Sequence, residues 1–161
     1  MMKYKLCLTG LERVGKTSFA ERVANNSFSE RYKSTIGVKI FNYIYNENTE
    51  FIIWDIEGGK NSYLANSAYY RGSHAHLIVC DVTSEESIEL IHHFFSHANE
   101  NYYLTPIFLL LNKVDLMFSR PKIDAKIKDL PLIEPYFISC KNNIGIQNCL
   151  DSIFTRLNNN I

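Results

Sequence analysis

The chain has 161 residues, 46% hydrophobic and 21% charged, which suits one domain with a full hydrophobic core. Its 17 basic and 17 acidic side chains give a formal net charge of zero, so the charge balance does not indicate a nucleic-acid partner. The four cysteines form no CxxC pair and the sequence as given shows no signal peptide, from which a reduced, cytoplasmic protein is expected.

Strands and helices are predicted to alternate along the chain. In order, the predicted elements are strand 4–9, helix 16–26, strands 38–45 and 50–55, strand 75–81, helix 84–99, strand 106–112, strand 134–139 and helix 144–158. This alternation predicts an α/β fold with a six-stranded, mostly parallel sheet and helices on both faces, formed by residues 1–161 as a single domain. In such sheets, ligands bind at the carboxyl ends of the strands.

A phosphate-binding motif follows the first predicted strand. Residues 10–17 read GLERVGKT, which is G-x-x-x-x-G-K-[ST] placed between a strand and a helix. The glycines allow backbone N–H groups to surround phosphate, and the helix N-terminus adds partial positive charge. Lys16 is expected to reach the β- and γ-phosphates of a nucleotide, and the Thr17 hydroxyl to bind Mg²⁺.

A D-x-x-G motif ends the predicted strand 50–55. Asp55 offers a carboxylate that can hold Mg²⁺ through its water shell, and the N–H of Gly58 can approach a γ-phosphate. By itself this motif is weak, but it lies at the carboxyl end of a strand, where the fold argument places a ligand.

Guanine is the base that the next two motifs indicate. Asn112-Lys113-Val114-Asp115 follows an apolar strand, and the Asp115 carboxylate can accept from guanine N1–H and N2–H₂. Adenine offers neither donor, so such a site can reject adenine by roughly 10⁴-fold. Ser139-Cys140-Lys141 ends the last predicted strand, where a backbone N–H can meet guanine O6. An ATP-using P-loop enzyme is therefore disfavoured.

These motifs together resemble those of the Ras superfamily of small GTPases, and most closely its Rab branch, over nearly the whole chain. The sequence YKSTIGV at residues 32–38 matches the family's first switch, and YYRG at 69–72 followed by CDVT at 80–83 is typical of Rabs. The resemblance implies a P-loop NTPase G domain that binds GTP or GDP with Mg²⁺, hydrolyses GTP, and changes the shape of two switches. The first switch is residues 28–37 and the second is residues 55–71.

The resemblance also implies roles for individual residues. Phe28 packs against the guanine ring, the Lys113 stem lies over it, and Thr35 contacts Mg²⁺ and the γ-phosphate in the GTP state alone. The implied nucleotide contacts are Gly10, Arg13, Val14, Gly15, Lys16, Thr17, Ser18, Phe28, Tyr32, Thr35, Gly58, Asn112, Lys113, Asp115, Ser139, Cys140 and Lys141. The implied metal residues are Thr17, Thr35 and Asp55, and the implied catalytic residues are Lys16, Thr35, Gly58 and Gly59.

The implied partners are Rab-type effectors, exchange factors and GTPase activators that act at the switch face. Effectors are expected to read Ile36, Ile40, Trp54 and Tyr69. A monomer in vesicle trafficking is expected, with membrane contact through partners. The chain as given ends without a prenylated cysteine, so no lipid anchor of its own is expected.

The second switch departs from the family pattern W-D-T-A-G-Q. Gly59 replaces the glutamine that orients the attacking water, which predicts slow intrinsic hydrolysis. A GTPase activator can restore the reaction in trans. The alternative is a hydrolysis-deficient pseudo-GTPase that serves as a binding module for effectors or regulators.

Three charged residues also stand where the family favours small ones: Glu12, Arg13 and Glu57. A carboxylate at residue 57 is expected to turn away from the γ-phosphate or to meet a cation. Arg13 has three alternatives: an ion pair with Glu12 or Glu57, stabilisation of charge on the transferred phosphate, or exposure to solvent. A second cluster, His92, His93 and His97, lacks a metal-binding motif, and a solvated or packing role is expected for it.

Overall fold

Six strands form one sheet in the order β2-β3-β1-β4-β5-β6, in a computed structural model that describes residues 1–131 and 135–159. The strands are β1 (Met2–Thr9), β2 (Val38–Asn46), β3 (Thr49–Ile56), β4 (Ala75–Asp81), β5 (Ile107–Asn112) and β6 (Tyr136–Phe137). The β2–β3 pair is antiparallel and the other pairs are parallel. The predicted fold class is confirmed.

Seven helices lie among the described residues. They are α1 (Lys16–Asn25), α2 (Ser62–Ala65), α3 (Ser67–Tyr70), α4 (Glu85–Glu89), α5 (Ile91–Asn101), α6 (Arg120–Ile127) and α7 (Ile146–Asn158). None of these helices is long and apolar enough to cross a membrane.

Two apolar clusters cover opposite faces of the sheet, because side chains alternate along each strand. Leu6 and Leu8 of β1 point into the cluster that α1 and α7 complete. Cys7, which lies between them, points into the other cluster, together with side chains of α5 and α6. The core therefore fixes the ends of β1, β3, β4 and β5 along one edge, where the loops meet.

The single helix predicted at 84–99 is observed as two helices, α4 and α5, so the prediction of one continuous helix was wrong. The hydroxyl of Ser84 caps α4 by accepting from the N–H of Ser87 at 3.2 Å. Leu90, at φ −87° and ψ 0°, separates α4 from α5. Helix α5 continues to Asn101, and its Ile91 and Phe94 lie in the core.

The last two predicted elements are shorter than expected. The strand predicted at 134–139 is observed at Tyr136–Phe137, and its first residue lies outside the described residues. The helix predicted from residue 144 begins at Ile146, because Ser139 and Ile144 form an isolated bridge and Gly145 takes a left-handed conformation at φ 69°. Helices α2, α3 and α6 were not predicted.

Candidate nucleotide site

A cleft of about 970 Å³ opens where the carboxyl ends of the central strands meet their loops. Most of the expected nucleotide contacts line it: Arg13, Gly15, Lys16, Thr17, Ser18, Phe28, Tyr32, Thr35, Gly58, Asn112, Lys113, Asp115, Cys140 and Lys141. Three expected contacts do not line it: Gly10, which opens the loop after β1, and the buried side chains of Val14 and Ser139. The structure thus brings four separate sequence motifs to one cavity.

Lys16 is the cation at the phosphate end of the cleft. Its side chain is buried, and Nζ donates to the carbonyl oxygens of Leu11 at 2.7 Å and Gly10 at 3.3 Å. Burial lowers the pKa of Lys16 to about 8, against the opposing charges of Asp55 and Glu12. These two bonds hold the ammonium at the phosphate end of the cleft, where its positive charge can attract phosphate oxygens.

The three expected metal residues meet beside Lys16. Oδ2 of Asp55 accepts from the Thr17 hydroxyl at 2.6 Å and from the Thr35 hydroxyl at 3.1 Å, and the two hydroxyl oxygens are 3.0 Å apart. The other carboxylate oxygen, Oδ1, is buried and has no hydrogen-bond partner among the described residues. Burial raises the pKa of Asp55, against the hydrogen bond from Thr17 and the charge of Lys16. This set of hard oxygen atoms fits Mg²⁺.

Asn112 joins the phosphate loop to the base-binding loops. Its Nδ2 donates to the carbonyl of Val14 at 3.0 Å, and its Oδ1 accepts from the N–H of Cys140 at 3.2 Å. Asp115 is held in turn by the Ser139 hydroxyl, which donates to Oδ1 at 2.6 Å. The remaining Asp115 oxygen is left for a ligand, as the guanine hypothesis requires.

Lys113 is fixed by two contacts across the cleft. Its Nζ lies 2.6 Å from Oδ2 of Asp81 and donates to the carbonyl of Arg13 at 2.8 Å. These two contacts hold the Lys113 side chain at the wall of the cleft. Asp81, from the CDVT segment, orients this lysine, a role that sequence reasoning missed.

Arg22 is a second residue that sequence reasoning missed. It lies in the last turn of α1, and its Nε and Nη2 donate to the carbonyls of Cys140 at 2.8 Å and Lys141 at 2.9 Å. These bonds hold the loop that carries Cys140 and Lys141 against the phosphate-loop helix. The only sequence signal is a basic residue near a helix C-terminus, which the helix dipole alone explains.

Arg13 of the phosphate loop and Glu57 of the second switch take partners that the sequence left open. The guanidinium of Arg13 lies over the Tyr32 ring, 4.8 Å from its centroid, and the ion pairs of the described residues include none between Arg13 and Glu12 or Glu57. Glu57 turns toward the first switch, where its Oε2 accepts from the N–H of Gly37 at 2.9 Å.

Gly59 does not line the cleft, and its backbone φ is +141°. Residues with a side chain rarely adopt this backbone conformation, so the backbone at position 59 itself favours glycine. A Cβ atom at residue 59 would meet nothing within 4 Å, which leaves open space where the family carries its glutamine.

The four expected effector residues lie on the switch side of the sheet. Ile36 is 86% exposed and Ile40 is 50% exposed. Ile40 on β2 is the register partner of Trp54 on β3, and the Trp54 ring lies 6.3 Å from the Tyr69 ring. Three of the four residues therefore form a contiguous apolar surface.

The histidine cluster packs against neighbouring segments. Nε2 of His92 lies 2.6 Å from the carbonyl of Lys126, and Nε2 of His93 lies 2.8 Å from that of Lys60 in the second switch. The described residues contain no group of three potential ligands placed to hold a metal ion through His, Cys, Asp or Glu side chains. The thiols of Cys7 and Cys80 are buried.

Comparisons with known proteins identify the family. The family model described as Ras of Complex, Roc, domain of DAPkinase matches residues 5–115. Ypt/Rab-type GTPase YPT7 of Saccharomyces cerevisiae is 30% identical over 92% of this chain and 78% of its own length. Ras-related protein Rab-7L1 of Rattus norvegicus is 30% identical over 98% of this chain and 83% of its own length. Ras-related protein Rab-22A of Homo sapiens is 30% identical over 98% of this chain and 84% of its own length. The chain therefore belongs to the Ras superfamily of small GTPases, in its Rab-like branch.

Proposed function

We propose that this chain is a GTP- and GDP-binding switch of the Rab type that hydrolyses GTP slowly by itself. The observation that carries the proposal is the meeting of Thr17, Thr35 and Asp55 within 3.1 Å of one another's oxygens, next to Lys16. Residues from the phosphate loop and from both switches contribute to this cluster, so a ligand bound there links all three segments. That linkage is what a nucleotide-dependent switch needs.

In this proposal the expected site residues keep their roles. Thr17, Thr35 and Asp55 hold Mg²⁺, which when bound neutralises charge on the β- and γ-phosphates. Lys16 binds the same phosphates, and the N–H groups of residues 10–18 surround them. Asp115 selects guanine, Asn112 and Ser139 position its loop, and Phe28 and Lys113 enclose the base. Residues 1–161 act as one G domain.

Slow hydrolysis follows from the second switch. The open space around Gly59 holds no side chain able to orient a water molecule. Lys16, Thr35 and the Gly58 N–H remain to stabilise the transferred phosphate. A GTPase activator that brings a glutamine and an arginine would supply what is missing, since an arginine finger is typically worth about 10³–10⁵ in rate.

We further propose that effectors, exchange factors and activators bind the surface formed by Ile36, Ile40, Trp54 and Tyr69. The exposure of Ile36 and Ile40 and the contiguity of the other side chains support this assignment. Such partners would bring the protein to membranes in vesicle trafficking. The second candidate function, a pseudo-GTPase that acts as a binding module, is favoured by the glycine-specific backbone at residue 59.

Two measurements test the proposal. Chromatography of the nucleotide released from purified protein should find GTP or GDP. Single-turnover hydrolysis of bound GTP should then be slower than in human Rab-22A under the same conditions, and Gly59→Gln should be faster than Gly59→Ala. The alanine variant is the matched control, because it has the same unfavourable φ without the amide. Hydrolysis as fast as that of a glutamine-containing relative would overturn the proposed slow step, and no measurable turnover even with an activator would select the pseudo-GTPase.

A further inference from the structure

Two hydrogen bonds between Glu57 and Gly37 join the second switch to the first. The N–H of Glu57 donates to the carbonyl of Gly37 at 2.8 Å, and the N–H of Gly37 donates to the side-chain Oε2 of Glu57 at 2.9 Å. Both residues are partly buried. Hydrogen bonds to a charged acceptor are stronger than neutral ones.

The position of this contact explains why the Gly37 N–H needs a side-chain acceptor. Val38 and Ile56 are the last register partners of the β2–β3 ladder, and Gly37 and Glu57 are the next pair along. Gly37 has a φ of +69°, so its N–H leaves the direction of a regular ladder. The Glu57 carboxylate takes the place of a backbone carbonyl as its acceptor. The alanine that the family's motif carries at this position has no acceptor.

The contact lies close to the metal residues. Gly37 follows Thr35 by two residues, and the Thr35 hydroxyl is 3.0 Å from that of Thr17 and 3.1 Å from Asp55 Oδ2. The bonds from Glu57 therefore restrict the chain on one side of Thr35. They join protein atoms to protein atoms, so neither bond is made by a γ-phosphate oxygen.

We propose that Glu57 is a positioning residue for Thr35, which keeps the first switch joined to the second after GTP has been converted to GDP. The inference rests on the proposed function, since it concerns the two nucleotide states of that site. Alanine at this position could still make the backbone bond to Gly37 but not the side-chain bond, so Thr35 would depend more on Mg²⁺ and the γ-phosphate. In this chain the first switch is held in part by Glu57, so its conformation depends less on which nucleotide is bound.

Amide hydrogen exchange at Gly37, followed by NMR, tests the inference directly. The protein is loaded with GDP or with the non-hydrolysable analogue GMPPNP, as wild type, Glu57→Ala and Glu57→Gln. Wild type should protect the Gly37 amide in both states. Glu57→Ala should lose about 10- to 100-fold of that protection with GDP, and less with GMPPNP. Glu57→Gln should retain most of it, because the amide oxygen still accepts.

Controls separate this effect from a general loss of stability. Glu47→Ala removes an exposed glutamate in the β2–β3 turn and should leave Gly37 exchange unchanged. An unprotected Gly37 amide in GDP-loaded wild type, or equal protection in wild type and Glu57→Ala, would overturn the inference. Binding of fluorescent GDP is measured on the same samples. If wild type binds no guanine nucleotide, the proposed function fails, and the Gly37 comparison on the nucleotide-free proteins still decides whether Glu57 holds the first switch.

Discussion

The backbone of Gly58 lies against the ammonium group of Lys16, so closely that a Cβ atom at residue 58 would stand 2.5 Å from Nζ and 2.8 Å from the N–H nitrogen of Glu12. The second switch and the phosphate loop therefore meet at a point with no room for a side chain. We expect Gly58→Ala to push the two segments apart. Overpacking of this kind costs about 1–3 kcal/mol. The loss should appear mainly in the binding of GTP, because GTP needs both segments.

The expected result for Gly58→Ala is a lower affinity for GTP with a smaller change for GDP, measured by displacement of fluorescent GDP. Gly72→Ala is the control. A Cβ atom there meets nothing within 4 Å, so this substitution strains the backbone through its positive φ but causes no steric clash. Equal losses for GTP and GDP in Gly58→Ala would contradict the assignment of Gly58 to the γ-phosphate.

Lys16 gives the site a dependence on pH. Its pKa of about 8 means that the ammonium is present at pH 7 and is lost as the pH rises past 8 in the nucleotide-free protein. Phosphate binds the ammonium form, so GDP affinity should be constant below about pH 7.5 and fall above pH 8, approaching tenfold per pH unit. Lys16→Met should bind weakly and lack this slope. The same slope in Lys16→Met would show that another group titrates.

Asp115 should decide which base is bound. Asp115→Asn replaces one carboxylate oxygen by an N–H₂ donor, so guanine N1–H and N2–H₂ lose an acceptor and the affinity for GDP should fall by roughly 10³-fold or more. Xanthosine diphosphate, which has an oxygen where guanine has N2–H₂, should lose less or gain. Isothermal titration with both nucleotides measures the change. Asp124→Asn, which alters an exposed ion pair with Arg120, is the matched control, and a GDP affinity that Asp115→Asn leaves intact would contradict the guanine assignment.

Arg22 should set how fast nucleotide leaves. Arg22→Ala removes the donors to the carbonyls of Cys140 and Lys141, and each charged hydrogen bond is worth about 1.5–3 kcal/mol. GDP dissociation, followed by stopped-flow fluorescence, should become about tenfold faster or more. Arg22→Lys should restore only part of the effect, because an ammonium does not span two carbonyls as a guanidinium does. Arg156→Ala, which changes an exposed residue of α7, is the control. Dissociation from Arg22→Ala at the wild-type rate would be evidence against this role.

The residues predicted best from the sequence are those that belong to short, contiguous motifs. The phosphate loop, Asp55 and the Asn112–Asp115 segment each lie at the carboxyl end of a strand, and parallel strands bring these ends together. Once the strands were located, the meeting of these motifs in one cleft followed. The buried strands themselves have a clear sequence pattern. In β4, for example, every residue is buried, and its mostly apolar sequence predicts a strand covered on both faces.

What the sequence did not predict depends on contacts between distant or exposed groups. Arg22 and Cys140 are 118 residues apart, and no local pattern joins them. Helix α6 buries Ile123 alone, so it lacks the apolar stripe by which a helix is recognised. The hydrogen bond from Gly37 to Glu57 depends on a φ of +69°, which a sequence does not reveal.

The central claim, that this chain binds guanine nucleotides with Mg²⁺, is tested most directly by nucleotide competition. Fluorescent GDP is bound to the protein and displaced by GTP, GDP or ATP, in Mg²⁺ and after its chelation. The account predicts displacement by GTP and GDP, none by ATP up to a concentration roughly 10⁴-fold higher, and faster release once Mg²⁺ is removed. Displacement by ATP at the same concentration as GTP, with no effect of Mg²⁺ removal, would contradict the account.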